Sequence, residues 1–308
     1  MSDILHIKDS YYFEVPKALW RRHYTSIDDV PEFVRKNHPH ASVDEFNQAL
    51  SGKILIPQPF ATLKNLYEKD SGFAISKFMI LEVVVAVIIA FLFIRLATKL
   101  KDGNLAKGKI ANLLEVMLVY MKDNVAKPAI GGHDYEKFLP LLWTLFFFIL
   151  GLNLLGLVPW AGSATGSFGV TLALAAVTLV TVLVSGMVKF GPIGFWLNQV
   201  PHMDLPWYFF PLKVVIFVIE VAGMLIRHGV LAIRLLANMV AGHLVLLAIM
   251  GLAFSAAGAA SASWGIVAPI AIVGSAAFSV LELFVAFLQA YVSTFLSALF
   301  IGAAIHHH

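Results

Sequence analysis

Five stretches of this chain are too apolar and too long for the core of a soluble domain. The first, residues 74–97, reads "AISKFMILEVVVAVIIAFLFIRLA", and the others begin near residues 138, 168, 209 and 264. A run of ~20 apolar residues crosses a hydrocarbon layer ~30 Å thick as a helix, because a helix satisfies its own backbone N–H and C=O groups. Charge is correspondingly scarce, at 13% of residues against the ~25% usual in soluble domains, and mean hydropathy is +0.81. The sequence predicts an all-α polytopic membrane protein with about five membrane helices. Cysteine is absent, which excludes disulfides, thiol catalysis and cysteine-held metals. No metal or cofactor is expected.

Charge divides the chain into four regions. Residues 1–72 form a polar head, in which "SVDEFNQAL" has a serine N-cap and first-turn acids and predicts a short helix. The opening "MSDILHIKDSYYFEV" shows no basic stretch followed by an apolar run, so no cleaved signal peptide is expected. Residues 73–98 hold the first membrane helix. Residues 99–137 carry Lys99, Lys101, Lys107, Lys109, Lys122, Lys127 and Lys137. By the positive-inside rule this loop is cytoplasmic, which puts the head on the opposite side and the C-terminus in the cytoplasm. Within it "IANLLEVMLVYMKDNV" has helical apolar spacing suited to the membrane surface. Residues 138–308 form the main membrane domain.

That last region begins with spans at 138–159, ended by Pro159, and 168–188, followed by the Gly-, Pro- and aromatic-rich connector "FGPIGFWLNQVPHMDLPWYFF". Two over-long runs follow, 209–253 and 264–303. About 40 helical residues reach ~60 Å, twice the hydrocarbon thickness. Either the first breaks near Gly223, Gly229 or Gly242, or the pair forms a strongly tilted hairpin around "FSAAGAASAS". Two motifs are set aside. "GNLAKGKI" (103–110) resembles a phosphate-binding loop, but it has Ile110 where a Ser or Thr is required, and no strand precedes it. The terminal "HHH" is no metal site on its own.

Arg234 is the residue that demands an explanation. Between Leu235 and His308 the only Asp, Glu, Lys or Arg is Glu282. A charge at mid-membrane costs roughly 2.5–3.5 kcal/mol on insertion scales, yet the positions three and four away from Arg234 are Val230, Leu231, Ala237 and Asn238. Glu220 shares its face but lies ~21 Å back along the axis. The counter-ion is therefore Glu282, water, or a carboxylate on another subunit. Arg227 and Arg234 share a face, with Asn238 one turn on, whereas His243 lies ~180° around the helix. Glu282 and Gln289, seven apart, share a face of the last helix. A His and a Glu on a common wet crevice would relay protons, since both can be tuned to titrate near neutral pH. Membrane His and Gln residues also commonly just hydrogen-bond between helices.

"IRLLANMVAGHLVLL" (233–247) closely resembles the signature of subunit a of the F-type ATP synthases: an Arg-Leu, an Asn four residues after the Arg, then Met and Ala-Gly. "FFFILGLNLLGLVP" (146–159), "VTLALA" (170–175), "IEVAGMLIR" (219–227) and "LQAYVSTFLSALFI" (288–301) support the resemblance, which covers about 138–303. It implies a membrane subunit with no catalysis of its own. It also implies two proton half-channels beside a ring of c subunits, peripheral-stalk subunits of the b type, and a bacterial inner-membrane location. No nucleic-acid partner is expected. Arg234 matches the arginine that meets the c-ring carboxylates, and Asn238, His243, Glu282, Gln289 and Glu220 match half-channel positions. Arg227 and His228 are auxiliary candidates. His243 and Glu282 stand reversed relative to one common bacterial pattern, and His228–Gly229 departs from the Pro-Val or Pro-Ile usual there. The competing class is a stand-alone ion-coupled secondary transporter, which commonly shows internal repeats; none is evident.

Overall fold

A computed structural model describes residues 9–17, 20–21, 23–37, 39–100, 108–158, 161–199, 210–258 and 264–306. Pro159, most of "GNLAKGKI", the second half of the Gly/Pro/aromatic connector, residues 259–263 of the "FSAAGAASAS" turn and the last two histidines lie outside these. The head pairs β1 (Tyr12–Glu14) antiparallel with β2 (Lys53–Leu55), and β3 (Ala61–Leu63) with β4 (Lys69–Gly72). Its helices are α1 (Glu32–Asn37) and α2 (Val43–Leu50). The Ser42 hydroxyl accepts from the Glu45 N–H while Glu45 accepts from the Ser42 N–H, so two orphan donors at the start of α2 are satisfied reciprocally. Phe46 and Leu50, one turn apart, then fall on one face and bury against Val30 and Val34. The strand ribbons are a feature the sequence analysis does not predict.

The head is fastened to the first membrane helix, α3 (Lys77–Leu100), at its orphan N–H groups. Ser10 offers its carbonyl to the Lys77 N–H at 2.9 Å, and Asp9 Oδ1 accepts from the Phe78 N–H at 3.3 Å. Four further helices are long and apolar enough to span: α6 (Tyr135–Gly156), α7 (Phe168–Phe190), α9 (Phe210–Gly258) and α10 (Trp264–Ile305). The expectation of five membrane helices in an all-α fold is met. α9 packs along α7 and α10, α10 also packs on α6 and α7, and α3 packs on α6.

The lysine-rich loop is more structured than its charge suggests. α4 (Lys109–Met121) runs through a π turn (Lys122–Ala126) into α5 (Lys127–Ile130). Pro128 has no N–H to donate and its ring crowds the carbonyl of Asn124 four residues back, which accounts for the widened turn. Met121, Val125, Ala126 and Ile130 bury in the main core, while Ile110, Leu113 and Val116 stay exposed on α4. One face thus packs on the bundle and leaves an apolar face free, as a helix at the membrane surface would. Asp134 then clasps two helices at one end of the bundle. It accepts from Lys189 at the end of α7 (2.8 Å) and from Lys137 on α6 (3.0 Å). Lys189 foremost, with Lys137, lowers its carboxyl from 3.8 to about 2. A depressed acid stabilises above its ordinary value and loses that contribution as pH falls through the lowered one. The clasp therefore holds above pH 3.8 and opens only toward about pH 2.

α10 meets α5 closely at Gly302, where a Cβ would collide with the Ala129 carbonyl oxygen. Gly302→Val should force the two apart at a cost of about 1–3 kcal/mol, read as a lower thermal midpoint of the detergent-solubilised protein; an unchanged midpoint would show that the contact can relax freely.

Candidate functional site

α9 runs unbroken through Gly223, Gly229 and Gly242 for 49 residues, so the alternative of a helix break is excluded. No proline interrupts it after Pro211, and each glycine still donates its N–H to the helix ladder. Arg234 lies equally far, 24 residues, from Phe210 and Gly258. Its side chain is half-buried and neither hydrogen-bonded nor ion-paired to any described residue.

Arg234 stands between two polar clusters. The first joins α9, α10 and α6. Asn238 Nδ2 donates to Gln289 Oε1 at 2.7 Å, and Asn153 Nδ2 donates to the Ala286 carbonyl at 3.2 Å. Glu282 is 5% exposed, and its carboxyl lies against Gly242, where any Cβ would strike it. Glycine at 242 is what lets an acid from α10 reach the backbone of α9. Asn153, Asn238, Glu282 and Gln289 line a cavity of about 20 Å³, room for roughly one water molecule. Glu282 Oε1, Gln289 Nε2 and Ser293 Oγ are buried without a hydrogen-bond partner among the described residues. Spacings of seven and four put all three on one face of α10. His243, adjacent to Gly242, is half-buried beside this cluster.

The second cluster lies toward the start of α9. Arg227 Nη2 reaches Glu220 Oε1 at 2.7 Å across two helical turns. Side chains on a helix lean toward its N-terminus, so an arginine reaches back to an acid seven residues earlier. A search confined to separations of three and four misses this pair. Arg234 has no such option, because seven residues before it stands Arg227. Glu220, Arg227 and His228 share a cavity of about 70 Å³ with Asn198, the last residue of the short helix α8 (Pro192–Asn198), and with Gln199 after it. His228 is 3% exposed.

The site residues therefore separate. Asn238, Glu282 and Gln289 come together with Gly242 and its neighbour His243. Glu220 joins Arg227 and His228 instead, ~27 Å from Asn238 along the axis. Asn153 and Ser293 were missed, although Asn153 is the only amide side chain within α6. A larger cavity of about 630 Å³ sits in the head, far from both clusters, and its Lys36 and Lys64 already pair with Glu32 and Glu68.

A mid-span arginine unpaired among the described residues and flanked by two polar clusters, each lining a cavity, marks a functional seam in a polytopic helical protein. Comparison with known proteins places it further. A family model described as ATP synthase A chain matches residues 79–302, and the chain belongs to that family. It is similar to ATP synthase subunit a of Myxococcus xanthus (40% identity over 205 residues, 66% of this chain and 64% of that one). It is also similar to ATP synthase subunit a of Chloroherpeton thalassium, at 34% identity over 275 residues, 88% of this chain and 79% of that one. ATP synthase subunit a 2 of Chlorobaculum tepidum is 38% identical over 256 residues, 81% and 69%.

The Asn238–Gln289 bond should show as a coupling of about 0.6 kcal/mol, typical between membrane helices, in a cycle of Asn238→Ala, Gln289→Ala and the double variant followed by unfolding in bicelles. Strict additivity would mean the amides do not hold the helices together.

Proposed function

We propose that the chain is the stator subunit a of an F-type ATP synthase and carries protons past a rotating ring of c subunits during ATP synthesis. The observation that carries this reading is Arg234, a permanent cation at the centre of α9 with no counter-ion among the described residues. A fixed positive charge there attracts the ionised carboxylate of each passing c subunit and favours its deprotonation. It also bars direct proton passage between the two clusters, as a fixed charge does in other pores. The counter-ion is then on the partner, and the site is complete only when the ring is present.

The clusters would be the linings of two offset half-channels. The one with Asn238, His243, Glu282 and Gln289 would open to the outer side, with His243 and Glu282 as its relay pair. The one with Glu220, Arg227 and His228 would open to the cytoplasm. Support for this polarity comes from Lys122, Lys127, Lys137 and Lys189, which gather at the α5, α6 and α7 ends where Asp134 sits, as the positive-inside rule requires. The head then lies outside the bacterial inner membrane. At 1.5 Å per residue α9 is about 74 Å long, so it would lie steeply inclined across the ring's flank. Peripheral-stalk subunits of the b type would hold it against rotation.

Arg234→Ala in the assembled complex should abolish ATP-driven proton pumping in inverted vesicles while the subunits still co-purify; normal pumping would refute the assignment. For the relay, His243→Glu and Glu282→His should each cut proton flux severely, and the two together should recover part of it. A double variant no better than either single one would argue against a facing pair.

A further inference from the structure

We propose that His228 is the proton-exchanging group of the half-channel that contains Glu220 and Arg227. This deepens the reading above and rests on it. His228 Nδ1 lies 2.9 Å from the Met224 carbonyl oxygen. A carbonyl can only accept, so Nδ1 carries the hydrogen, and in the neutral ring Nε2 is left as the bare, proton-accepting nitrogen. Nε2 is buried with no hydrogen-bond partner among the described residues, and the residue lines the cavity of about 70 Å³. The ring is held in place by Phe300 of α10, centroid to centroid 4.8 Å. A fixed imidazole whose bare nitrogen is left without a protein partner, on a residue that lines a cavity able to hold water, is the arrangement a proton carrier needs.

The surrounding groups leave that task to His228. Glu220 and Arg227 of α9 are the charged residues of the cavity, and they are bonded to each other. α8 contributes Asn198, the residue after it is Gln199, α7 contributes Val182, and α10 contributes Phe300, Ala303 and Ala304. Amides and apolar side chains hold water but do not exchange protons, whereas an imidazole has a nitrogen that can take up and release one. Along α9, His228 lies six residues from Arg234, ~9 Å, nearer than Glu220 at ~21 Å. A proton delivered by water from the ring side adds to Nε2 to give imidazolium. The N–H bond then breaks toward water on the cytoplasmic side, and no electrons change hands.

The test uses the whole complex in inverted vesicles and reads proton flux against pH. His228→Gln and His228→Phe should each lower flux by about tenfold or more and change the shape of its pH profile. The Phe variant keeps an aromatic ring against Phe300, so loss there is not a packing effect. His228→Ala should regain flux on addition of free imidazole. Wild-type flux and pH profile in the Phe variant, or no imidazole response in an assembled but inactive Ala variant, would overturn the proposal. Arg234→Ala in the same vesicles separates the two readings. If it pumps normally, the subunit assignment fails; if it is inactive while the His228 variants conduct like wild type, only the role of His228 falls.

Discussion

A guanidinium at the centre of a 49-residue apolar helix, with no counter-ion among the described residues, governs the rest of this structure. Such a charge is tolerated in a membrane only when water or an opposite charge reaches it. The helix itself offers neither: its acid, Glu220, is held by Arg227. Glu282 of α10 turns instead toward Gly242, two turns further along. The fold thus leaves neither carboxylate for Arg234. On the proposed reading that is the purpose of the arrangement, since a guanidinium already satisfied within the subunit would have little affinity left for a carboxylate passing outside it.

The unpaired buried atoms follow the same logic. Among the described residues, four of the five buried side-chain polar atoms without a partner belong to the two clusters flanking Arg234. Each costs roughly 1–3 kcal/mol if it stays dry, so they mark where water would be drawn in. Glu282, Gln289 and Ser293 draw one such line on α10, and His228 marks the other on α9. Between them, Leu231, Ala232 and Leu235 are buried, an apolar plug around the arginine. Two wet regions with a dry, positively charged divide would prevent a short circuit without any moving gate in this chain.

The fold was legible because length and apolarity alone settle it. The five spans, the unbroken apolar runs and the Ser42 cap all follow from patterns read one helix at a time. Arg234 was legible for the same reason: a charge with no acid at helical spacing is a property of one strip of sequence. What the sequence did not disclose required two elements at once. Asn153 looks like one polar residue in an apolar run until α10 presents the Ala286 carbonyl to it. Gly242 looks like a possible break until Glu282 fills the space it leaves. Glu220 was grouped with Asn238 by its likeness to other half-channel residues, although eighteen residues of unbroken helix put them ~27 Å apart. In the head, strands as short as three residues carry too little alternation to announce themselves.

The length of the last two helices acquires a reason from the positions of their charges. Arg234 is at the centre of α9 and Glu282 lies within a turn of the centre of α10. A helix inclined across a slab keeps its centre at mid-depth whatever the tilt, so both ionisable groups stay at the same level. Inclination also stretches the axial separation of His228, Arg234 and Asn238 into a lateral one. Upright helices would stack the clusters above one another along a single line, with only Arg234 and its apolar neighbours between them. On the proposed inclination, part of the same ~27 Å between Glu220 and Asn238 would become sideways offset. That offset is what would oblige each proton to be carried around by a partner rather than pass straight through.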